Sequence, residues 1–249
     1  MRAITLVAAA LLLATATICS AQDWIEYQNI EDGFKLDFPG QPKITDTYWA
    51  TEQGYVIPAR IYSATEGASK YSMTVVDYTV IDRLGMDRSQ KCPVGAETCQ
   101  GQPTGGLRNA IGPGYAIQDI RDAIVFATFK FISKPGITVT DYLWNWEDLV
   151  EGHELHLNNA DGSREFVFIA MRENRLYIMD ATVPKGYPEP GLFHQSLGWV
   201  DPQGRAVRYN QIYVNEIHGL RIDPPPGYGG QNAPPPQAQP AAGAPGNLK

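Results

Sequence analysis

The chain has 249 residues, of which 43% are hydrophobic and 10% aromatic, as is usual for a folded domain. Its formal net charge is −7, and no cluster of Lys or Arg interrupts the sequence. This balance argues against nucleic-acid binding, which needs a basic surface to neutralise phosphates, and it offers nothing to attract an anionic membrane surface.

The first 21 residues have the features of an export signal. A basic residue precedes an apolar run, 4–14, that is too short to span a membrane. Small side chains lead up to Ala21, which predicts cleavage after that residue and a periplasmic or secreted protein without a transmembrane segment. The alternative is a lipoprotein anchored through Cys19, but Ile18 stands where such signals have Gly, Ala or Ser.

The mature chain opens with a pattern of strands and turns. Asp32-Gly33 is a strong turn signal, and Phe34, Leu36 and Phe38 then alternate with polar residues, as in a half-buried strand. Further strands are predicted over 43–52, 55–64 and 70–80.

Residues 82–114 are rich in Gly and Pro and are predicted to form one long surface loop. Cys92 and Cys99 lie in this segment, and in an oxidising compartment they predict a disulfide. The alternative is a redox-active pair, but catalytic pairs are usually separated by two residues, and here six intervene.

A helix is predicted over 115–133. Its apolar residues recur at spacings of three and four and form one stripe: Ile117, Ile120, Ile124, Ala127 and Phe131. The β-branched and aromatic residues in 124–132 leave a strand open for the second half.

The rest of the sequence predicts strands over 137–146, around Leu155 and Leu157, and over 164–171, 175–183 and 206–215, with a short helix in 190–199. Together these elements indicate a single α+β domain, 22–222, mostly an antiparallel β-sheet with one or two helices packed on it. The tail, 223–249, holds eight prolines and is predicted to be disordered. Because it lacks Pro-x-x-Pro spacing, a linker is favoured over a ligand for an aromatic groove.

Two stretches resemble known groups of proteins. The segment Asp32–Pro42 (DGFKLDFPGQP), shortly after Trp24, resembles the start of PsbP-like domains. The segments Gly152–Pro184 and Glu189–Gly198 resemble exported proteins of unknown function that are common in alpha-proteobacteria. The resemblance implies a PsbP-like α/β/α sandwich and an accessory role with a protein partner, and it implies no catalytic residue. The long Cys-bearing loop departs from the compact PsbP-like pattern.

Candidate ligand-binding residues lie near the middle of the sequence. Trp144 and Trp146 share one strand face, where they could stack on sugar rings, although this spacing is more typical of core residues. Glu154 and His156 share a face if their segment is a strand, whereas His153 points with the leucines. A metal held by Glu154 and His156 would need further ligands, so we favour a solvated strand face.

These observations favour a non-enzymatic periplasmic accessory or binding protein with no catalytic, cofactor or metal residues. The alternatives are a periplasmic hydrolase and a carbohydrate or cell-wall binding module. A hydrolase would need His156, His194, His218 and Glu154 to converge on one pocket. The binding module would fail if both tryptophans were buried beneath a helix.

Overall fold

The computed structural model describes residues 23–91 and 115–215. The predicted signal and its cleavage site, the Cys92–Cys99 pair, His218 and the proline-rich tail lie outside the described residues. The described strands are β1 (Trp24–Asn29), β2 (Phe34–Pro39), β3 (Lys43–Ala50), β4 (Val56–Glu66), β5 (Ser69–Asp77), β6 (Thr138–Glu147), β7 (Val150–Asn158), β8 (Arg164–Arg172), β9 (Arg175–Val183), β10 (Gly198–Val200) and β11 (Ala206–Val207). The helices are α1 (Ile81–Gln90), α2 (Tyr115–Ile132) and α3 (Gly191–His194), and a 3₁₀ turn (Tyr78–Val80) precedes α1.

The strands form two antiparallel sheets. The larger has seven strands in the order β3-β4-β5-β9-β8-β7-β6, and the smaller has four in the order β1-β2-β10-β11. The α+β class and the mostly antiparallel pairing are therefore confirmed. Strands β3 and β6 are the two edges of the larger sheet.

The larger sheet buries a core on each face. Against the smaller sheet it packs a cluster that includes Phe34, Leu36, Phe38, Tyr62, Met73, Phe168, Met179 and Trp199. Against the helices it packs a second cluster that includes Ile57, Ile120, Ala123, Ala127, Leu155, Val167, Ile169 and Ile178. The α/β/α order is not confirmed, because the described layers are sheet, sheet and helix, with only the single turn of α3 joining the smaller sheet.

Helix α1 corrects the predicted loop. Residues 82–90 are helical, and only the remainder of 82–114 stays untested. Ile81 is buried and Leu84 packs against the same core, while the Arg88 guanidinium lies 3.7 Å from the centre of the Tyr55 ring. Most of the Gly and Pro residues that suggested a loop come after Gln90, so the composition of the whole stretch concealed a helix at its start.

Helix α2 confirms the helix predicted over 115–133, including its second half. Ile120 and Ala127 of the predicted stripe are buried, and Ile124 and Phe131 pack against the same core. The start of the helix is held by Asp119, whose carboxylate accepts hydrogen bonds from Thr51 Oγ1 at 2.5 Å and from Gln53 N at 2.9 Å.

The last predicted elements are shorter than expected. In place of a helix over 190–199, α3 ends at His194 and β10 follows. In place of a strand over 206–215, only Ala206–Val207 pair as β11, and Tyr213 forms an isolated parallel bridge with Val150.

Candidate binding surface on strand β6

Strand β6 exposes a row of aromatic side chains at the edge of the larger sheet. Tyr142, Trp144 and Trp146 have exposed fractions of 52%, 56% and 48%. The expectation that this spacing marks core residues is therefore wrong, while their position on one strand face is confirmed. The reason is topological, because α2 packs on β7 and β8 and leaves the outermost strand uncovered.

The four candidate ligand-binding residues do not form one ligand face, because they lie on opposite faces of the sheet. Trp144 pairs with His153 and Trp146 with Glu151, on the side of the helices. Glu154 and His156 alternate with these residues and point to the other side. The two-residue turn Asp148–Leu149, with φ values of 46° and 64°, fixes this register.

Glu154 and His156 belong to a polar cluster on the far side. His156 Nε2 lies 2.9 Å from Glu154 Oε1, and its Nδ1 lies 3.4 Å from Asp141 Oδ2. The Phe166 ring contacts both His156 and His194, and burial lowers the pKa of His194. In the described ranges, no three His, Cys, Asp or Glu side chains are grouped so that they could hold a metal ion.

Polar contacts fix the aromatic row on the helix side. The Nδ1 atom of buried His153 lies 2.8 Å from Thr128 Oγ1 and 3.1 Å from Tyr142 Oη. The Trp144 ring packs edge-on against the same imidazole, and its Nε1 donates to the Glu151 carboxylate. Because burial lowers the pKa of His153, the folded protein favours the neutral imidazole, whose Nδ1 lies within hydrogen-bond distance of both hydroxyls.

Helix α2 adds a second exposed apolar row that the sequence reasoning missed. Val125, Phe129 and Ile132 are all exposed and lie four and three residues apart. Such residues share one face of a helix, and this face is distinct from the buried stripe. The sequence could have indicated this row, because 115–133 contains a second set of apolar residues at helical spacing. Thr128 neighbours this row and, through its contact with His153, links it to the aromatic row.

A cavity of about 250 Å³ opens between α2, β6 and the end of the described chain. Its apolar lining comes from Ile120, Ile124, Trp144 and Met171, and Tyr213 and Asn215 line it from the C-terminal side. The aromatic row therefore borders a groove. We call Tyr142, Trp144 and Trp146, together with Val125, Phe129 and Ile132, the β6–α2 surface.

Comparison with known proteins shows no family. No family model matches the chain, and no curated protein matches it. Among solved structures it is similar to cyanobacterial PsbP (CyanoP) from Synechocystis sp. PCC 6803, with a TM-score of 0.39 and 11% sequence identity over 76% of this chain and 99% of that chain. So low a TM-score transfers neither a site nor a function. None of the helices in the described ranges combines the length and apolar character needed to cross a bilayer.

Proposed function

We propose that the protein is an exported, non-enzymatic binding protein that takes up an extended segment of a partner protein along strand β6. The observation that carries this proposal is the row of three half-exposed aromatic rings on a ten-residue edge strand. Long apolar edge strands are rare in soluble proteins because they invite pairing with other chains. A row of this kind is therefore suited to a partner.

The backbone of β6 supports recognition by strand addition. Among the described strands it pairs only with β7, which leaves its outer side open to a partner strand. Such a strand gains main-chain hydrogen bonds, and its alternate side chains contact the rings of Tyr142, Trp144 and Trp146. On the other face it meets Leu143, which is also exposed.

The surroundings favour a peptide over a carbohydrate. The half-exposed indoles could stack on a sugar ring, so their exposure is compatible with the carbohydrate-binding alternative. However, Ile120, Ile124 and Met171 give the cavity beside Trp144 an apolar lining, and the Glu151 carboxylate there already accepts from Trp144. A carbohydrate site needs polar groups that are free to bind hydroxyls, whereas an apolar segment of a protein matches what surrounds the rings.

Site-specific photo-crosslinking tests the proposal. A photoreactive amino acid replaces Leu143 on β6 or, as a matched control, Tyr48 on the opposite edge strand β3; both side chains are exposed. In an extract of exported proteins we expect one protein crosslinked from position 143 and none from position 48. Equal crosslinking from both positions, or crosslinking only to polysaccharide, would contradict the proposal.

Export rests on the first 21 residues and has its own test. The mass of the mature N-terminus should correspond to a chain that begins at Gln22. A chain that begins at a lipid-modified Cys19 would instead indicate a tethered protein, and an intact N-terminus would contradict cleavage.

A further inference from the structure

The C-terminal segment leaves the described fold at the rim of the β6–α2 surface. Tyr213 N donates to Leu149 O at 2.8 Å, and Glu151 N donates to Tyr213 O at 3.4 Å. The Asn215 side chain accepts from Asn174 N at 3.1 Å and donates to Asn174 Oδ1 at 3.0 Å. These bonds anchor the last described residues to the fold. Because Tyr213 and Asn215 line the same cavity as Trp144, the C-terminal segment begins beside the aromatic row.

The sequence that follows has the right chemistry for aromatic rings. Residues 216–249 include two runs of three prolines, 224–226 and 234–236. Such runs favour the polyproline II helix, which is stiff before it binds and packs its rings on exposed aromatic side chains. A run of three prolines presents a ring on every side of that helix, so stacking does not depend on Pro-x-x-Pro spacing.

The segment is also long enough to reach. From Tyr142 to Trp146 the aromatic row extends over roughly 14 Å, at about 3.4 Å for each strand residue. The eight residues 216–223 can span up to about 27 Å when extended. The first proline run, about 9 Å long in the polyproline II helix, can therefore lie across two neighbouring rings of the row, and the second can continue toward the apolar row of α2.

We propose that the proline-rich C-terminal segment packs on the β6–α2 surface of its own chain and competes there with the partner. The inference rests on the proposed function, since it assigns a regulator to the same site. Proline has no N–H and cannot complete a β-ladder, so the segment covers the rings without pairing with the edge. A partner strand that supplies both main-chain bonds and side chains can displace it.

Tethering makes such weak packing effective. A short flexible connection gives an effective concentration in the millimolar range, so an intrinsic dissociation constant of about 0.1 mM corresponds to roughly tenfold more occupied than free chains. The same covering keeps the β6 edges of two copies apart, which guards against the edge-to-edge association that open strands promote.

Indole N–H signals in NMR of the full-length chain test the inference. The five tryptophans give separate signals, assigned by single Trp→Phe replacements. The test variant replaces the six prolines at 224–226 and 234–236 by Ser, and the matched control carries Pro240→Ser and Pro245→Ser. We expect the test variant to shift the signals of Trp144 and Trp146 toward those of free, solvated indoles, and the buried Trp199 to stay unchanged.

Three results would contradict packing of the C-terminal segment on its own chain. Unchanged Trp144 and Trp146 signals would overturn the inference, and so would equal shifts in the control variant. Wild-type signals that move with protein concentration would indicate a second copy as the occupant and would overturn packing within one chain.

Crosslinking from position 143 in the same variant separates this inference from the proposed function. If both hold, release of the segment increases partner crosslinking several-fold, up to about the tenfold given by the tethering estimate. Unchanged indole signals with strong crosslinking would defeat the inference alone. Shifted indole signals without any crosslinked protein would defeat the proposed function alone.

Discussion

The two edge strands of the larger sheet meet solvent in different ways. On β3, the Lys130 ammonium lies 3.7 Å from the centre of the Trp49 ring, and Arg60 Nε pairs with Asp46 Oδ1 at 3.1 Å. Tyr48 is exposed there, but it stands next to these charges. Charged side chains on an edge discourage pairing with another chain.

On β6, Tyr142, Trp144 and Trp146 form an exposed aromatic row on the helix side, and α2 exposes a second apolar row of Val125, Phe129 and Ile132. Polar side chains of helix α2 reach toward both edges: Lys130 covers Trp49 and donates to Ala50 O, whereas Thr128 binds His153 and supports the open rings. Under the proposed function, this difference means that charge protects one edge while the other is open to a partner. Each prediction below tests one side of this contrast.

The largest effect is expected from removing the aromatic row. Replacing both Trp144 and Trp146 by Ala should weaken binding of the crosslinked partner about 1,000-fold, because aromatic anchors contribute roughly 2 kcal/mol each. Unfolding stability should fall by only about 1 kcal/mol, since both rings are half exposed. Titration calorimetry measures the first quantity and urea unfolding the second. A similar loss of binding for Tyr48→Ala would erase the contrast between the edges.

A glycine near each edge strand allows two costs of adding a side chain to be compared: steric crowding at Gly152 and backbone strain at Gly54. A Cβ at Gly152, which pairs with Asn145 of β6, would lie 2.3 Å from Ile169 O, so Gly152→Ala should cost about 3 kcal/mol or more. Gly54, in the β3–β4 turn, has φ of +76° and open space around it, so Gly54→Ala should cost about 1 kcal/mol. Equal urea midpoints for the two variants would contradict the close packing at β7.

Acidification should weaken the support of β6. Burial lowers the pKa of His153, so the folded state favours the neutral imidazole. Its contribution to stability is complete above the unfolded pKa near 6.5 and is lost as the pH falls through the lower folded pKa. In urea unfolding at pH 5 to 7, His153→Gln should reduce the loss of unfolding free energy on acidification. His156→Gln, on the other face, should retain that loss. Identical pH profiles for wild type and His153→Gln would remove His153 from this role.

The smallest effect is expected at the protected edge. Lys130→Met removes the cation above Trp49 and should cost about 0.5–1 kcal/mol while exposing the indole to acrylamide quenching. Lys130→Arg, which keeps the charge, should retain most of the stability and most of the protection of Trp49 from acrylamide. If Lys130→Met leaves Trp49 quenching unchanged, the ammonium does not cover that ring.

Much of the fold could be predicted from periodicity, because alternation and helical spacing are local. The strand from Phe34 to Phe38 and helix α2 follow directly from their apolar patterns. Helix α1 was missed because its ten residues precede a stretch of Gly and Pro that dominated the composition.

The candidate site was only partly accessible from sequence. Alternation places Trp144 and Trp146 on one face, but it does not tell that β6 is an edge, which depends on strand order. The separation of Glu154 and His156 from the tryptophans follows from the two-residue turn Asp148–Leu149, whose positive φ is unusual for a leucine. Pairing across that turn, rather than spacing along one strand, decides which side chains meet.

Hydrogen exchange of the two edge strands tests the central claim most directly. The full-length chain is compared alone and in the complex with the partner that crosslinks from position 143, over Thr138–Glu147 and Lys43–Ala50. We expect partner binding to slow exchange in β6 at least about tenfold, as new ladder bonds form along the edge, and to leave β3 unchanged. Protection of β3, or unchanged exchange in β6, would contradict the assignment of β6 as the binding edge.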